Sequence, residues 1–170
     1  MTTSRNDLPG QAGGPPDWAF VMAHPAHFLG LGFGAGLSPR APGTAGTLAA
    51  FPLYFALQGV TAPVYWGLVA VCLVAGVWIC GRTGADLGVH DHGGIVWDEI
   101  AAFLAVLPFA PPVWWGYLLA FALFRLFDIW KPYPIGWLDR RVHGGLGVML
   151  DDLLAAVYAV FCLLGLAWLT

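Results

Sequence analysis

The sequence predicts an all-α protein: a compact helical bundle, embedded in a membrane, whose helices are short and broken by proline and glycine. Three observations support this fold class. Hydrophobic residues make up 59% of the 170 residues and charged residues only 10%, whereas roughly 25% charged is usual in soluble domains. Mean hydropathy is +0.73. The charged residues are gathered between long charge-free runs, and a small soluble domain would have too little polar surface to cover those runs.

Length, charge and cysteine content narrow the possibilities further. We expect one domain over residues 18–170, preceded by a polar, Gly/Pro-rich tail over residues 1–17 that is disordered and lacks the pattern of a signal peptide. The net charge is −3 and there is no basic run, which argues against a nucleic-acid partner. Cys72, Cys80 and Cys162 sit in apolar sequence without ligand spacing, so we expect reduced thiols rather than a disulfide or zinc site.

The apolar elements follow in order after the tail. Trp18–Leu37 carries aromatic residues among small ones and is split at Pro25, which indicates a helix lying in the membrane interface. Beyond it lie five apolar pieces near the short limit of roughly 17–25 residues for a membrane crossing. A buried helix of a soluble bundle is the alternative for each piece. The pieces are Ala45–Gly59, Pro63–Cys80, the two parts of Ile100–Phe124 on either side of Pro108, Pro111 and Pro112, and Leu153 to the end.

The charges between these pieces predict an orientation. If the pieces cross in turn, the polar loops Arg82–Trp97 and Asp128–Leu150 lie on one side together with the N-terminal arm. The loops on the other side, near Val60–Ala62 and Phe109–Pro112, contain no charged residue. Basic residues favour the cytoplasmic side, so we expect the polar side to face the cytoplasm. The basic residues on that side are Arg40, Arg82, Lys131, Arg140 and Arg141.

Five carboxylates stand near the predicted helix ends: Asp98 with Glu99, Asp128, and Asp151 with Asp152. Neighbouring helical residues are about 100° apart, so each pair can turn at least one carboxylate toward the bundle centre. Carboxylates brought together in a low dielectric repel each other unless a cation lies between them. Oxygen ligands suit Mg²⁺, which also retains waters and binds substrate phosphate. The pattern therefore favours a shared metal site.

Helix capping is the alternative explanation for the same acids. An Asp in the first turn of a helix is stabilised by the exposed N–H groups, and this accounts well for Asp98 and Asp151. It does not account for Asp128, which closes a helix, where a negative charge is unfavourable. Arg125 or Lys131, each three residues away, would hold that carboxylate.

A Gly-rich stretch, GFGAGLSPRAPGTAGT over Gly32–Thr47, is a candidate anion cradle. Its glycines allow a tight backbone with free N–H groups, Ser38, Thr44 and Thr47 add hydroxyls, and Arg40 adds a planar charged fork. A helix beginning near Thr44 would point its positive end at the same place. No Gly-Lys-Ser/Thr follows, so this is not a Walker loop. A plain Gly/Pro-rich turn is the alternative.

The loop GVHDHGGIVW, Gly88–Trp97, offers His90, Asp91 and His92 as ligands for a soft divalent metal. Three consecutive residues seldom converge on one ion, so the pattern favours a solvated loop. One of the histidines could still act as an acid or base.

At this point the motifs resemble a known family. The stretches GFGAGLSPRAPGTAGTLAAFPLY, VHDHGGIVWDEIAAF and FRLFDIWKPYPIGWLDRRVHGGLGVMLDDLLAAVYA agree in order and spacing with phosphatidylglycerophosphatase A, a bacterial lipid phosphatase, over about Phe28–Ala159. The resemblance implies an all-helical protein of the bacterial inner membrane. It also implies a Mg²⁺-dependent enzyme that hydrolyses phosphatidylglycerol phosphate to phosphatidylglycerol and phosphate.

The resulting hypothesis is metal-assisted phosphomonoester hydrolysis at the cytoplasmic end of the bundle. A carboxylate not needed for the metal would act as general base, and a covalent aspartyl-phosphate is left open. Arg140, Arg141 and His143 would contact the head group or anionic lipid. The residues expected to bind the metal are Asp98, Glu99, Asp128, Asp151 and Asp152, which with Lys131 form the catalytic set. The residues expected to hold the phosphate are Arg40, Thr44, Thr47 and Lys131.

Two other classes of protein are alternatives to the enzyme hypothesis. A small cation transporter would use intramembrane carboxylates to conduct its ion. It predicts acids spread through the depth of the membrane, whereas the acids here cluster at one end. A non-catalytic structural membrane protein leaves the motifs unexplained.

Overall fold

The computed structural model describes residues 15–89 and 91–169. Within these residues there is no β-strand, and the all-α prediction is confirmed. Two short 3-10 segments, Gly32–Leu37 and Leu107–Phe109, connect the α-helices. The helices are α1 (Trp18–Ala23), α2 (Pro25–Gly30), α3 (Pro42–Leu57), α4 (Ala62–Leu87), α5 (Trp97–Val106), α6 (Trp114–Trp130), α7 (Ile135–Asp139) and α8 (Gly144–Leu169).

Local sequence explains where several helices begin and end. The Asp17 carboxylate caps α1 by accepting a hydrogen bond from the Phe20 N–H at 2.9 Å. The second helix begins at Pro25, which confirms the predicted break in Trp18–Leu37. Proline also occupies the first position of α3, where its missing N–H costs nothing. Gly88 ends α4 in the left-handed region, at φ +78°, which suits a residue without a side chain.

The short helix α5 forms the centre of the bundle. It packs against α3, α4, α6 and α8, and every residue in it except Ala105 is buried. Phe103 of this helix lies between Phe51 of α3 and Phe124 of α6, with a ring-centroid distance of 5.3 Å to each. A helix with no solvent-facing side places whatever polar residues it carries inside the protein.

Helices α4 and α8 cross at very close range near one end of the bundle. A Cβ atom on Gly145 would collide with the Val77 carbonyl oxygen, and it would lie 2.6 Å from the Gly81 nitrogen. Glycine at position 145 therefore permits a backbone-to-backbone approach that no other residue allows. Small residues at such crossings are typical of helices that pack in membranes.

Among the residues that the structure describes, two helices are long and apolar enough to cross a membrane. They are α4 and α8, each with 26 residues, or about 39 Å at 1.5 Å per residue. Only 28% of the apolar window of each helix is buried inside the protein, so most of its side chains face outward. The other three predicted crossings correspond to shorter helices: α3 has 16 residues, α5 has 10 and α6 has 17.

Two helices extend further than the apolar pieces predicted. Helix α4 continues past Cys80 to Leu87, and Arg82 and Asp86 form an i,i+4 ion pair of 2.6 Å on this last part. Helix α8 begins at Gly144, well before Leu153. The idea that Asp151 caps the start of a helix is therefore wrong. The predicted tail, residues 1–17, lies outside the described residues up to residue 14.

Candidate active site

Three buried carboxylates meet at the start of α5. Asp98 and Glu99 come from its first turn, and Asp152 comes from α8. One oxygen from each of the three lies within 4.8 Å of the others. These three side chains, Asp98, Glu99 and Asp152, are called the acidic trio below. No other set of three potential ligand residues converges in this way within residues 15–89 and 91–169.

Each member of the acidic trio has an oxygen without a hydrogen-bond partner among the described residues: Oδ1 of Asp98, Oε2 of Glu99 and Oδ1 of Asp152. Burial raises the pKa of Asp98 well above its usual range, and the neighbouring charges of Glu99 and Asp152 add to the shift. Burial also raises the pKa of Glu99 to about 7, against the hydrogen bond from Asp98. Concentrated, unsatisfied negative charge of this kind is unfavourable unless a cation joins it.

The chain before α5 fixes where the acidic trio lies. The Val96 N–H donates to the Gly30 carbonyl at 2.9 Å. Glycines at 36 and 46 let the backbone around Gly94 and Val96 approach the 3-10 segment and α3 so closely that a Cβ would collide there. The Gly-rich stretch thus has a structural role that its composition alone did not reveal: it seats the first turn of α5.

Arg125 and Asp128, one turn apart on α6, border the acidic trio. The Arg125 Nη1 lies 2.6 Å from Asp128 Oδ2 and 3.6 Å from Glu99 Oε1. Asp128 in turn lies within hydrogen-bonding reach of Asp152. Of the two partners predicted for Asp128, Arg125 is the correct one. The second contact of Arg125, with Glu99, could not be predicted from spacing along the chain because α5 and α6 are separate elements.

Asp151 is not a member of the trio and pairs with Lys131. The Lys131 ammonium lies 2.5 Å from Asp151 Oδ2 and 3.1 Å from Asp139 Oδ1. Burial acts to lower the pKa of Lys131, but the two carboxylates outweigh it and raise the pKa overall. Lys131, itself at the end of α6 with φ +44°, therefore ties α6, α7 and α8 together.

Three of the four predicted phosphate-binding residues, Arg40, Thr44 and Thr47, lie before, in and beyond the first turn of α3, and the fourth, Lys131, lies at the end of α6. A Cβ on Gly43 would contact Glu99 Oε1, which places this turn directly against the acidic trio. Arg40 is exposed on the preceding bend, and Thr44 is half-buried in the turn itself. Thr47 is buried, and its hydroxyl donates to the Gly43 carbonyl at 2.9 Å. The helix N-terminus carries a partial positive charge toward the same region.

The histidine loop contributes no convergent site in the described residues. His90 lies outside them, Asp91 is exposed, and Nδ1 of His92 accepts from the Gly94 N–H at 3.0 Å. A histidine that the motifs did not single out is more deeply placed. His27 is 1% exposed and contacts the Phe20 carbonyl at 3.0 Å and Asp86 at 2.8 Å.

The donor set of the acidic trio fits a hard divalent cation. All three ligands are carboxylates, their oxygens converge, and the unpartnered atoms are the ones a cation would satisfy. Such all-oxygen surroundings suit Mg²⁺ better than a soft metal, which prefers nitrogen or sulfur.

Fold and site define an all-α enzyme whose buried acidic centre lies at one end of an apolar bundle. Residues 28–167 match the family model for phosphatidylglycerophosphatase A. The chain belongs to this phosphatase family. It is 46% identical over 137 residues to phosphatidylglycerophosphatase A of Escherichia coli K12, covering 80% of each chain. It is 47% identical over 143 residues to the Haemophilus influenzae protein of that name, covering 82% of this chain and 86% of the relative. No solved structure matches it.

Proposed function

We propose that the protein hydrolyses phosphatidylglycerol phosphate to phosphatidylglycerol and inorganic phosphate, and that it requires Mg²⁺. The acidic trio is the observation that carries the metal requirement, since three buried carboxylates converge with an unpartnered oxygen on each. The names of the E. coli and H. influenzae relatives support the substrate. The partial positive charge at the start of α3 beside the trio favours binding of a phosphate there.

Asp98, Glu99 and Asp152 would hold the Mg²⁺. Asp128, close to Asp152, would contact the ion only through a water. When bound, the ion polarises the phosphoryl group and lowers the pKa of a coordinated water. Asp151 would act at one remove, because its ion pair with Lys131 fixes the turn of α8 from which Asp152 projects.

The chemistry needs a proton acceptor as well as a cation. In hydrolysis the water oxygen bonds to phosphorus, the bond from phosphorus to the glycerol oxygen breaks, and the leaving oxygen gains a proton. Asp128 is suited to accept the proton that the water loses, because Arg125 holds it beside the trio while its oxygens stay outside it. Attack by the same carboxylate on phosphorus, giving an aspartyl-phosphate, is the alternative chemistry.

The residues expected to hold the phosphate differ in their exposure and in the hydrogen bonds that they already make. Arg40 and Thr44 lie exposed and half-buried at the start of α3, where a head group could reach them. Thr47 and Lys131 already make hydrogen bonds within the protein. They would contact a phosphate only by giving those bonds up.

The lipid substrate implies a membrane, and α4 and α8 have the length and apolarity to cross one. We place the protein in the bacterial inner membrane as a multi-pass protein. Its charged end, with the acidic trio and the basic residues Arg82, Lys131, Arg140 and Arg141, would face the cytoplasm. There Arg140, Arg141 and His143, all exposed, would meet anionic lipid.

Phosphate release from phosphatidylglycerol phosphate in detergent micelles tests the proposal. We expect release with Mg²⁺, none after EDTA, and recovery when Mg²⁺ is restored. Phosphatidic acid, a phosphomonoester with no glycerol head group, is the comparison substrate. Activity that persists in EDTA would overturn the metal requirement, and equal rates on both lipids would overturn the assigned substrate.

A further inference from the structure

Arg125 has hydrogen-bonding capacity that the protein does not use. Its side chain is 14% exposed, and its ion pair with Asp128 joins Nη1 to Oδ2 at 2.6 Å. Yet neither Nε nor Nη1 meets an acceptor at hydrogen-bond geometry among the described residues, although both atoms are buried. A buried donor left without an acceptor is costly, and five N–H groups on one rigid fork are more than two carboxylates at these positions satisfy.

Glycine at position 43 lets the first turn of α3 approach this guanidinium closely. A Cβ on Gly43 would lie 3.1 Å from Nη1 and 3.3 Å from Nη2 of Arg125. The same atom would contact Glu99 Oε1. Three features therefore meet at Gly43: the first turn of α3 with its positive end, an under-used guanidinium, and a member of the acidic trio.

We propose that Arg125 binds the phosphate that is to be cleaved, at the start of α3, which Gly43 allows to lie close to the guanidinium. This inference rests on the proposed function and names the residue that binds the phosphate group of the substrate. A planar guanidinium matches two phosphate oxygens at once, which a lysine cannot do. Arg125 fits this role better than Lys131, whose ammonium already donates a hydrogen bond to Asp151, or Arg40, which is exposed on the bend before α3.

The test compares Arg125→Lys with the wild type in detergent with Mg²⁺. The lysine keeps a positive charge next to Asp128 but lacks the planar guanidinium that can bind two phosphate oxygens at once. Binding of inorganic phosphate and of glycerol 3-phosphate is measured by calorimetry, which separates a site for any phosphate from one that needs the glycerol. Arg82→Lys is the matched control, because Arg82 also lies 2.6 Å from an aspartate but belongs to the His27–Asp86 contact and not to this site.

We expect Arg125→Lys to weaken phosphate binding by about tenfold or more, the scale of one lost charge-assisted hydrogen bond. The control should bind as the wild type does. In turnover of phosphatidylglycerol phosphate, KM should rise along with the weaker binding of inorganic phosphate. Should Arg125→Lys fail to fold, Arg125→Gln and Gly43→Ala carry the same comparison, and both should weaken binding.

Folded variants that bind phosphate as tightly as the wild type would overturn the proposal, as would a wild type that binds no phosphate. The role of Arg125 and the proposed function would be contradicted by different results. If the wild type hydrolyses the lipid and Arg125→Lys leaves KM and phosphate binding unchanged, Arg125 loses its role and the proposed function stands. If the wild type binds phosphate through Arg125 but hydrolyses no lipid, the proposed function fails and the binding site stands.

Discussion

Replacing Asp152 by asparagine should stabilise the metal-free protein while abolishing its activity. Asp152 is 2% exposed, and one of its oxygens lies within 4.8 Å of an oxygen of both Asp98 and Glu99. Two unit charges at that distance repel by about 3 kcal/mol at an effective dielectric constant of about 20. Proton uptake by Asp98 already relieves part of the repulsion, so we expect a net gain of about 2 kcal/mol in the free energy of unfolding.

The assay is thermal unfolding in detergent, with EDTA and with Mg²⁺. A gain of about 2 kcal/mol corresponds to a rise of about 4–8 °C in Tm for a chain of this size. With EDTA, Asp152→Asn should therefore melt above the wild type. With Mg²⁺ the order should reverse, because the wild type gains stability from the bound cation and the variant does not. Phosphate release should fall by at least about 100-fold.

The neighbouring substitution Asp151→Asn is the control. It leaves the acidic trio intact but removes the partner of Lys131, so it should lower Tm in both conditions and retain the stabilisation by Mg²⁺. The reasoning would be refuted if Asp152→Asn melted below the wild type in EDTA, or if Mg²⁺ stabilised it as much as the wild type. The first result would mean that charge repulsion does not destabilise the trio. The second would mean that Asp152 does not help to bind a cation.

Three further substitutions, with Gly165→Ala as the control for the third, test the scaffold by thermal unfolding. Lys131→Met leaves two partly buried carboxylates without their cation and should cost about 1–3 kcal/mol; no loss would mean that this ion pair does not hold α7 to α8. His27→Ala removes a fully buried ring and its contact with Asp86, and should cost about 3 kcal/mol, whereas an unchanged Tm would contradict its structural role. Gly145→Ala drives a methyl group into the α4 backbone and should cost about 2 kcal/mol or more. Gly165→Ala on the same helix meets nothing within 4 Å and should stabilise by up to about 1 kcal/mol, so equal effects of the two would refute the close crossing.

The sequence was sufficient for the all-α class, for the approximate positions of α3 to α6 and for the stretches of chain that supply the acidic trio. Charge-free runs broken by proline located α3 to α6, and acids at predicted helix ends gave the chain positions that supply the acidic trio. The sequence could not distinguish Asp151 from Asp152. Which of two adjacent residues faces inward depends on the rotation of α8 against α5, and that is set by packing that spans the whole bundle.

Other features lay beyond sequence reasoning because they join residues far apart in the chain. His27 meets Asp86 across 59 positions, and no local pattern marks either residue as a partner. The start of α8 was missed because Gly144, Gly145 and Gly147 resemble a loop. At position 145 glycine is needed instead for the close crossing with α4. Tertiary contact, which intrinsic helix preference does not include, explains that difference.

The burial of α5 on every side limits where the folded protein can open locally. Local openings of a folded chain free its frayed ends and exposed segments first, and its most enclosed segments last. Since α5 has neighbours on every side, its backbone amides belong to the part of the molecule that opens only when the whole bundle does. We therefore expect the carboxylates it carries to be held by backbone that opens late among the described residues. Any motion that admits the proposed substrate would then come from the surrounding segments.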